Sequence, residues 1–353
     1  MESYGKAKVI RVWVPGLPHE GIIKRFLMYM AFTFSALMAI PFCRRTQVVW
    51  AMSPNYLCMV PAIACRVMTG SKVVHDVVDI WPNAMIATGY SFPTPMVKLT
   101  SLIARLSYIF SSVIVTISAS MASTLNKLAP QSVPVVTIEN CVSRIFFEVP
   151  PNDPHTGWNI MYLGTLSPSN DFATVLETAR MIGTEGRVRF SIAGSGELAG
   201  WIRRSISEKE LGNVTLSMQR IEHEKVPSWL ATADALLIPL RSGFGNASFP
   251  SKMGEYLASA RPVICVADGE LGDLVNSNGI GLVVTPGDSK ALAEGIETLR
   301  ANADLCHKLG NNGRGYAREH FSMDSFIGKV DRTLALVTTN HNPAPTNETD
   351  STN

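Results

Sequence analysis

The feature that most constrains this chain is an alternation running almost its whole length. Short β-branched runs end in polar or turn residues, and stretches with helical spacing separate them. In the first half the runs are KVIRVWV (8–14), QVVWAMS (47–53), SKVVHDVVDIWP (71–82), SSVIVTIS (111–118) and VPVVTIEN (133–140). Helical spacing fills 22–40, 54–68, 95–109 and 119–129 between them. Strand and helix in strict turn predict a parallel sheet covered on both faces. EVPPNDPHTG (148–157) then concentrates Pro, Asp, Asn and Gly, marking the best domain boundary. After it the pattern restarts: NIMYLG precedes a helix over 170–183, VRFSIAG one over 197–209, VTLSM one over 224–233 and ALLIPL one over 251–260. RPVICVA then leads through a short loop to GLVVTP, and helices over 288–301 and on to about 338 close the pattern. The expectation is α/β: two doubly wound halves, 1–150 and 157–337, followed by a polar, disordered tail over 338–353. Sheets of this kind bind ligands outside the carboxyl ends of their strands.

Composition narrows the function classes. A formal net charge of +2 on 353 residues gives no bulk attraction for a polyanion, so nucleic acid is not indicated. Cys43, Cys58, Cys65, Cys141, Cys265 and Cys306 are scattered through apolar stretches without a C-x-x-C pair, which reads as reduced core cysteines and not a zinc site. MESYGKAKVIRVWVP has no basic start, apolar run and cleavage site of a signal peptide. One segment invites a membrane: Phe26 to Cys43 is uncharged and lies between Lys24, Arg25 and Arg44, Arg45. Its length is at the lower limit for a span. A buried helix or a membrane-surface helix fits the surrounding alternation better than a true span.

Chemistry concentrates where runs meet helices. Gly194, Ser195 and Gly196 follow one predicted strand and precede a helix, as a phosphate-cradling turn would, though an ordinary turn looks the same. No acidic residue ends the next strand, so a nucleotide diphosphate fits better than a dinucleotide. YLGTLSPSNDF offers Gly164, Thr165, Ser167, Ser169 and Asn170, with an ordinary capped helix start as the competing reading. SFPSKMGEYLASARPVI (248–264) is more specific: Pro250 suits a first helical turn, and Lys252 and Glu255 share a face. An ammonium there suits phosphate and a carboxylate suits a ribose diol, against a surface salt bridge as the bland alternative. In the first half, His75, Asp76 and Asp79 crowd one strand end before Pro82, with Asp79 a better candidate base than His75. Arg220 and His223 lie in a loop, as surface charge or as base contacts.

Taken together, MYLGTL, FSIAGSGE, RIEHEKVPSWLATADALLIPL and FPSKMGEYLASARPVI resemble the retaining glycosyltransferases of the GT-B fold, family 4, over nearly all of 157–337. VVWAMSP, VVHDVVDIWP, VIVTIS and TIENCVSRIFF resemble that family's N-terminal domain more loosely. DIWP with PSK…EYLA is similar to the branch that builds capsule, exopolysaccharide and O-antigen units on lipid carriers. The resemblance implies two Rossmann-like domains and a nucleotide-diphosphate sugar donor with no metal or other cofactor. It places Gly164, Thr165, Gly194, Ser195 and Gly196 by the donor, Arg220 and Ile221 at the nucleobase, Ser251 and Lys252 at the phosphates, and Glu255 at the ribose. Asp79 would face the sugar or acceptor, and Asp79 and Lys252 would be the catalytic pair.

The departures are specific. Thr165 and Asn170 stand where the family has arginine and lysine, the first glutamate of its E-x7-E pattern falls near Asn246 or Ala247, and Val78 replaces a histidine or arginine before Asp79. The family's first strand and glycine-rich acceptor loop have no counterpart, so the N-terminal domain reads as incomplete. The expectation is a hexosyl or N-acetylhexosaminyl transferase acting on a saccharide, lipid-linked by preference, in cell-surface polysaccharide synthesis. It would work in the cytoplasm, with a peripheral membrane contact through 22–45. The alternatives are a non-catalytic nucleotide-sugar-binding homologue and an epimerase of the same architecture.

Overall fold

The computed structural model describes residues 2–16, 22–53, 56–82, 94–150, 157–185, 187–244 and 250–339. The chain divides into two compact units, 1–138 with 328–353, and 139–327.

The second unit is built on six parallel strands: β7 Trp158–Leu163, β8 Val188–Ala193, β9 Val214–Ser217, β10 Ala235–Pro239, β11 Val263–Val266 and β12 Gly281–Val284. Their order is β12-β11-β10-β7-β8-β9. β7 runs beside β8 from Trp158↔Val188 to Leu163↔Ala193, and beside β10 through Ala235↔Ile160 and Leu236↔Met161. The helices between them are α5 Phe172–Ile182, α6 Ala199–Glu208, α7 Val226–Ala231, α8 Lys252–Ala258, α9 Gly269–Ser277, α10 Ser289–Arg300 and α11 Ala303–His320. Both faces are apolar, as parallel strands require. Met161, Leu236, Ile238, Val263 and Cys265 pack with Tyr256 and Leu257 on one face. Ile160, Tyr162, Leu237 and Ile264 pack with Leu176, Ile202 and Ile296 on the other. Helix starts follow their caps: Asp171 accepts from the Thr174 N–H at 3.2 Å, and Asp288 from that of Ala291 at 2.8 Å.

The first unit carries four parallel strands in chain order, β3 Val48–Met52, β4 Lys72–Val77, β5 Val113–Thr116 and β6 Val135–Thr137. Helices α1 Ile22–Ala39, α2 Met59–Thr69, α3 Thr94–Ile109 and α4 Ala119–Leu128 accompany them, and α12 Met323–Thr338 adds its part from Gly328 onward.

Four expectations are corrected. The run over 8–14 does not join the sheet: β2 Ala7–Val9 pairs antiparallel with β1 Glu2–Tyr4, and residues 10–16 form neither helix nor strand. Strands β11 and β12 are joined by helix α9, not a short loop. Only Cys65 and Cys265 are buried; Cys43, Cys58, Cys141 and Cys306 are half-buried, all six being free. The segment 26–43 is not a core helix either, because only 11% of it is buried. Among the described residues it is the one helix long and apolar enough to cross a membrane. Residues 340–353, most of the polar tail, lie outside the described residues, as do Asn246 and Ala247.

Candidate donor site

Strand order reverses between β7 and β10. From β7 the chain winds outward to β8 and β9, then returns to the other side of β7 with β10. The loops leaving the carboxyl ends of these two strands diverge and leave a crevice, the usual ligand position of a doubly wound sheet. A cavity of about 330 Å³ lies there, lined by Tyr162, Gly164, Thr165, Ser167, Asn170, Pro239, Leu240, Ser251, Lys252 and Glu255. So five of the residues expected at a donor, Gly164, Thr165, Ser251, Lys252 and Glu255, share one crevice.

Lys252 is the centre of this arrangement. Its Nζ donates to the Tyr162 Oη at 2.7 Å and stands 3.9 Å from the centre of that ring. A Cβ at Gly164 would lie 2.5 Å from the same Nζ, so only glycine lets the amine rest on the loop. Burial pushes the Lys252 amine down to about 7, against the opposing pull of Glu255. The Glu255 carboxyl is raised by burial, with His223 and Lys252 drawing it back. No salt bridge of Lys252 exists among the described residues.

Asn170 does a different job from the lysine expected by analogy. It is buried, and its Oδ1 accepts from the Tyr162 hydroxyl at 3.1 Å and the Ser167 N–H at 3.2 Å. It braces the loop and does not offer charge. Tyr162 also reaches the Thr165 carbonyl at 2.6 Å, so one phenol connects the loop, its brace and Lys252. Tyr162 was not singled out from sequence: within MYLGTL it reads as one more apolar strand position. The one signal is a hydroxyl at the penultimate strand position, two residues before Gly164.

Gly194, Ser195 and Gly196 do not line this cavity. They run alongside it, with the Gly164 N–H bonded to the Ala193 carbonyl at 2.9 Å and the Leu166 N–H to the Ser195 carbonyl at 2.9 Å. Gly194 has φ +153°, and a Cβ there would collide with the Gly164 carbonyl. The glycines therefore have a packing reason to be glycine: two strand-end loops are pressed together. Arg220 is exposed and Ile221 half-buried on the loop after β9, and neither lines the crevice. His223, exposed on the same loop, stacks edge-on with Phe146 at 5.2 Å and lies close enough to act on Glu255.

A larger cavity of about 520 Å³ opens at the opposite, amino end of the sheet, lined by Trp158, Asp234, Arg261 and Arg314. Of the arginines on its wall, Arg261 is committed to the Pro150 carbonyl at 2.8 Å and Arg314 to that of Ala258 at 3.0 Å, while Arg300 pairs with Glu297 at 2.7 Å. Size alone does not make it the donor site.

Asp79 belongs to the first unit, beyond the carboxyl end of β4, and is exposed. Its carbonyl accepts from the Tyr56 hydroxyl at 3.3 Å, and Tyr56 shares a 2.7 Å hydrogen bond with Tyr108. His75 is fully buried, with Nε2 2.9 Å from the Ser53 hydroxyl, and burial pushes its imidazole down to about 3. A histidine enclosed this way cannot reach a substrate, and its role is structural. Among the described residues no group of three His, Cys, Asp or Glu side chains could hold a metal ion.

Residues 144–316 match the family model for glycosyl transferases group 1. The fold is GT-B. The sucrose-phosphate synthase of Thermosynechococcus elongatus superposes with a TM-score of 0.75 at 17% identity, over 95% of this chain and 85% of that one. Anabaena HepE, solved with UDP-glucose, gives 0.68 at 15% identity over 85% and 81%. In sequence, the capsular polysaccharide biosynthesis glycosyltransferase CapM of Staphylococcus aureus is 30% identical over 169 residues, 46% of this chain and 42% of that protein. The O-antigen chain mannosyltransferase C of Escherichia coli is 29% identical over 143 residues, 40% and 38%. The matched stretch thus spans less than half the length of each of these two relatives.

Proposed function

We propose that this protein is a retaining glycosyltransferase that takes a sugar from a nucleotide diphosphate and passes it to a saccharide acceptor in polysaccharide assembly. The observation that carries the reading is the crevice at the reversal of strand order, where an amine and a carboxylate face one cavity without pairing. Lys252 meets the diphosphate, assisted by the Ser251 hydroxyl and the Gly164–Thr165 loop, and Glu255 accepts from the ribose hydroxyls. Gly194, Ser195 and Gly196 support the diphosphate loop, and Arg220 and Ile221 border the nucleobase. The bond from the anomeric carbon to the diphosphate oxygen breaks, the acceptor oxygen bonds to that carbon from the same face, and its proton passes to the departing phosphate. Lys252 stabilises the charge developing on the leaving group. The likeness to a capsular polysaccharide glycosyltransferase and an O-antigen mannosyltransferase supports polysaccharide assembly, and neighbours solved with UDP and UDP-glucose support a nucleotide sugar.

The acceptor is lipid-linked, and the protein works at the cytoplasmic face of a membrane. Helix α1 exposes Phe26, Leu27, Met30, Phe34 and Met38, and Phe42 follows at 72% exposure, between exposed Lys24 and the exposed pair Arg44 and Arg45. An apolar face with basic ends suits an interfacial helix. A non-catalytic nucleotide-sugar binder is the second reading, favoured by Thr165 and Asn170 at two positions where resemblance expects cations. Incubation with nucleotide sugars and a lipid-linked saccharide, followed by mass spectrometry, separates them. Glycosylated acceptor with the anomeric configuration kept is expected; donor binding without any transfer supports the binder, and no donor binding overturns both.

A further inference from the structure

Lys252 is unusual for a phosphate-binding lysine because, among the described residues, no salt bridge holds its charge in place, and Glu255 acts on it only at longer range. Around its amine, β7 contributes Tyr162, a neutral phenol. The Gly164–Asn170 loop and the end of β10 contribute no titratable group to the cavity wall, and α8 contributes Glu255, with Tyr256 beside it and His223 beyond. The amine is folded back over the Tyr162 ring and held by its hydroxyl. That hydroxyl is fixed in turn by the Thr165 carbonyl and the Asn170 amide oxygen, so the resting position is built and not incidental.

We propose that Tyr162 is a positioning residue for Lys252, holding its amine in wait over the Gly164 loop, and that arrival of the donor diphosphate recruits the amine together with one proton from solvent. The inference rests on the donor reading given above. The proton has a physical source of demand. A buried amine whose close polar partner is a phenol oxygen is helped only in part toward the charged form, whereas two adjacent phosphate charges strongly favour the ammonium. The direction of its shift in the free protein, down to about 7, agrees with an amine that is largely neutral in mildly alkaline solution. Binding then carries a pH dependence that an always-charged arginine at this position would not have.

Titration calorimetry with UDP-glucose and GDP-mannose tests this, because the diphosphate diester of a nucleotide sugar exchanges no proton between pH 7 and 9. At pH 8, heats measured in phosphate and in Tris buffer should differ by the uptake of about one proton per donor bound. Affinity should fall by up to about tenfold per pH unit above pH 7. Lys252→Arg should bind with the same affinity at pH 7 and 9 and take up no proton. Tyr162→Phe should lower affinity several-fold at pH 8 and leave it within about twofold at pH 6, where the amine is protonated without help. A loss of equal size at both pH values would make Tyr162 merely structural and overturn its positioning role. Tight binding with no proton uptake in the unaltered protein would overturn the inference and leave the donor reading standing. Failure of every donor to bind at any pH would overturn the donor reading, and this inference with it.

Discussion

Lys252 is asked for two things that conflict: to be buried enough to act on a phosphate, and to carry charge when it does. The conflict has a signature in stability. In the unfolded chain a lysine keeps its proton to about 10, whereas Lys252 in the fold is pushed down to about 7. Between those values the unfolded state binds more protons, so stability rises as pH climbs from about 7 to about 10. Lys252→Met should flatten that rise, read as thermal midpoints across the window. His75 shows the same relation at acid pH. Its folded value of about 3 lies below the ordinary one, so stability should fall as pH drops from about 6.5 toward 3. Chemical denaturation of His75→Gln, which can keep a hydrogen bond to Ser53, should show a shallower loss. Residue types at the site were legible in the sequence, since Lys252 and Glu255 are three apart on an obvious helix. Tyr162 was not, because a tyrosine in a strand of a buried sheet looks like any other large core residue. Only the fold brings its hydroxyl to Lys252, 90 positions away.

At the scale of elements, periodicity located most of the strands and helices, because parallel strands buried on both faces are continuous apolar runs. It failed where local pattern and context disagree. The 8–14 run has strand composition, but its first part is claimed by a hairpin with Glu2–Tyr4. Helix α9 has nine residues, two of them glycine, too little periodicity to stand out between two strong strands. The glycine pair after β8 carries a packing requirement that its pattern did not announce, because its loop lies in backbone contact with the Gly164 loop. Gly194→Ala should therefore destabilise the second unit by about 1–3 kcal/mol, from backbone strain and the clash with the Gly164 carbonyl, with or without a donor present. Gly200→Ala is the matching control. It sits on α6 with open space around its Cβ position, and should be neutral or stabilise by up to about 1 kcal/mol. Thermal melts of the two variants side by side measure the difference.

At the scale of the molecule, the two units differ in how their surfaces are finished. Large apolar side chains are exposed along α1 and also on α3, where Leu99 and Leu102 are 58% and 54% exposed. The α1 face predicts vesicle binding that depends on both halves of its chemistry. Co-sedimentation with phosphatidylglycerol vesicles should be strong for the unaltered protein, weak for Phe34→Ser with Phe42→Ser, and salt-sensitive through Lys24, Arg44 and Arg45. Equal sedimentation of the double variant would remove α1 from the contact. Donor binding is assigned to the crevice between the ends of β7 and β10. The direct test is calorimetric titration of UDP-glucose and GDP-mannose at pH 7 into the unaltered protein and into Lys252→Ala. Saturable binding of at least one donor is expected, about 10- to 100-fold weaker in the variant, as follows for a lost charge-assisted contact to phosphate. Equal binding by the two proteins would contradict that assignment.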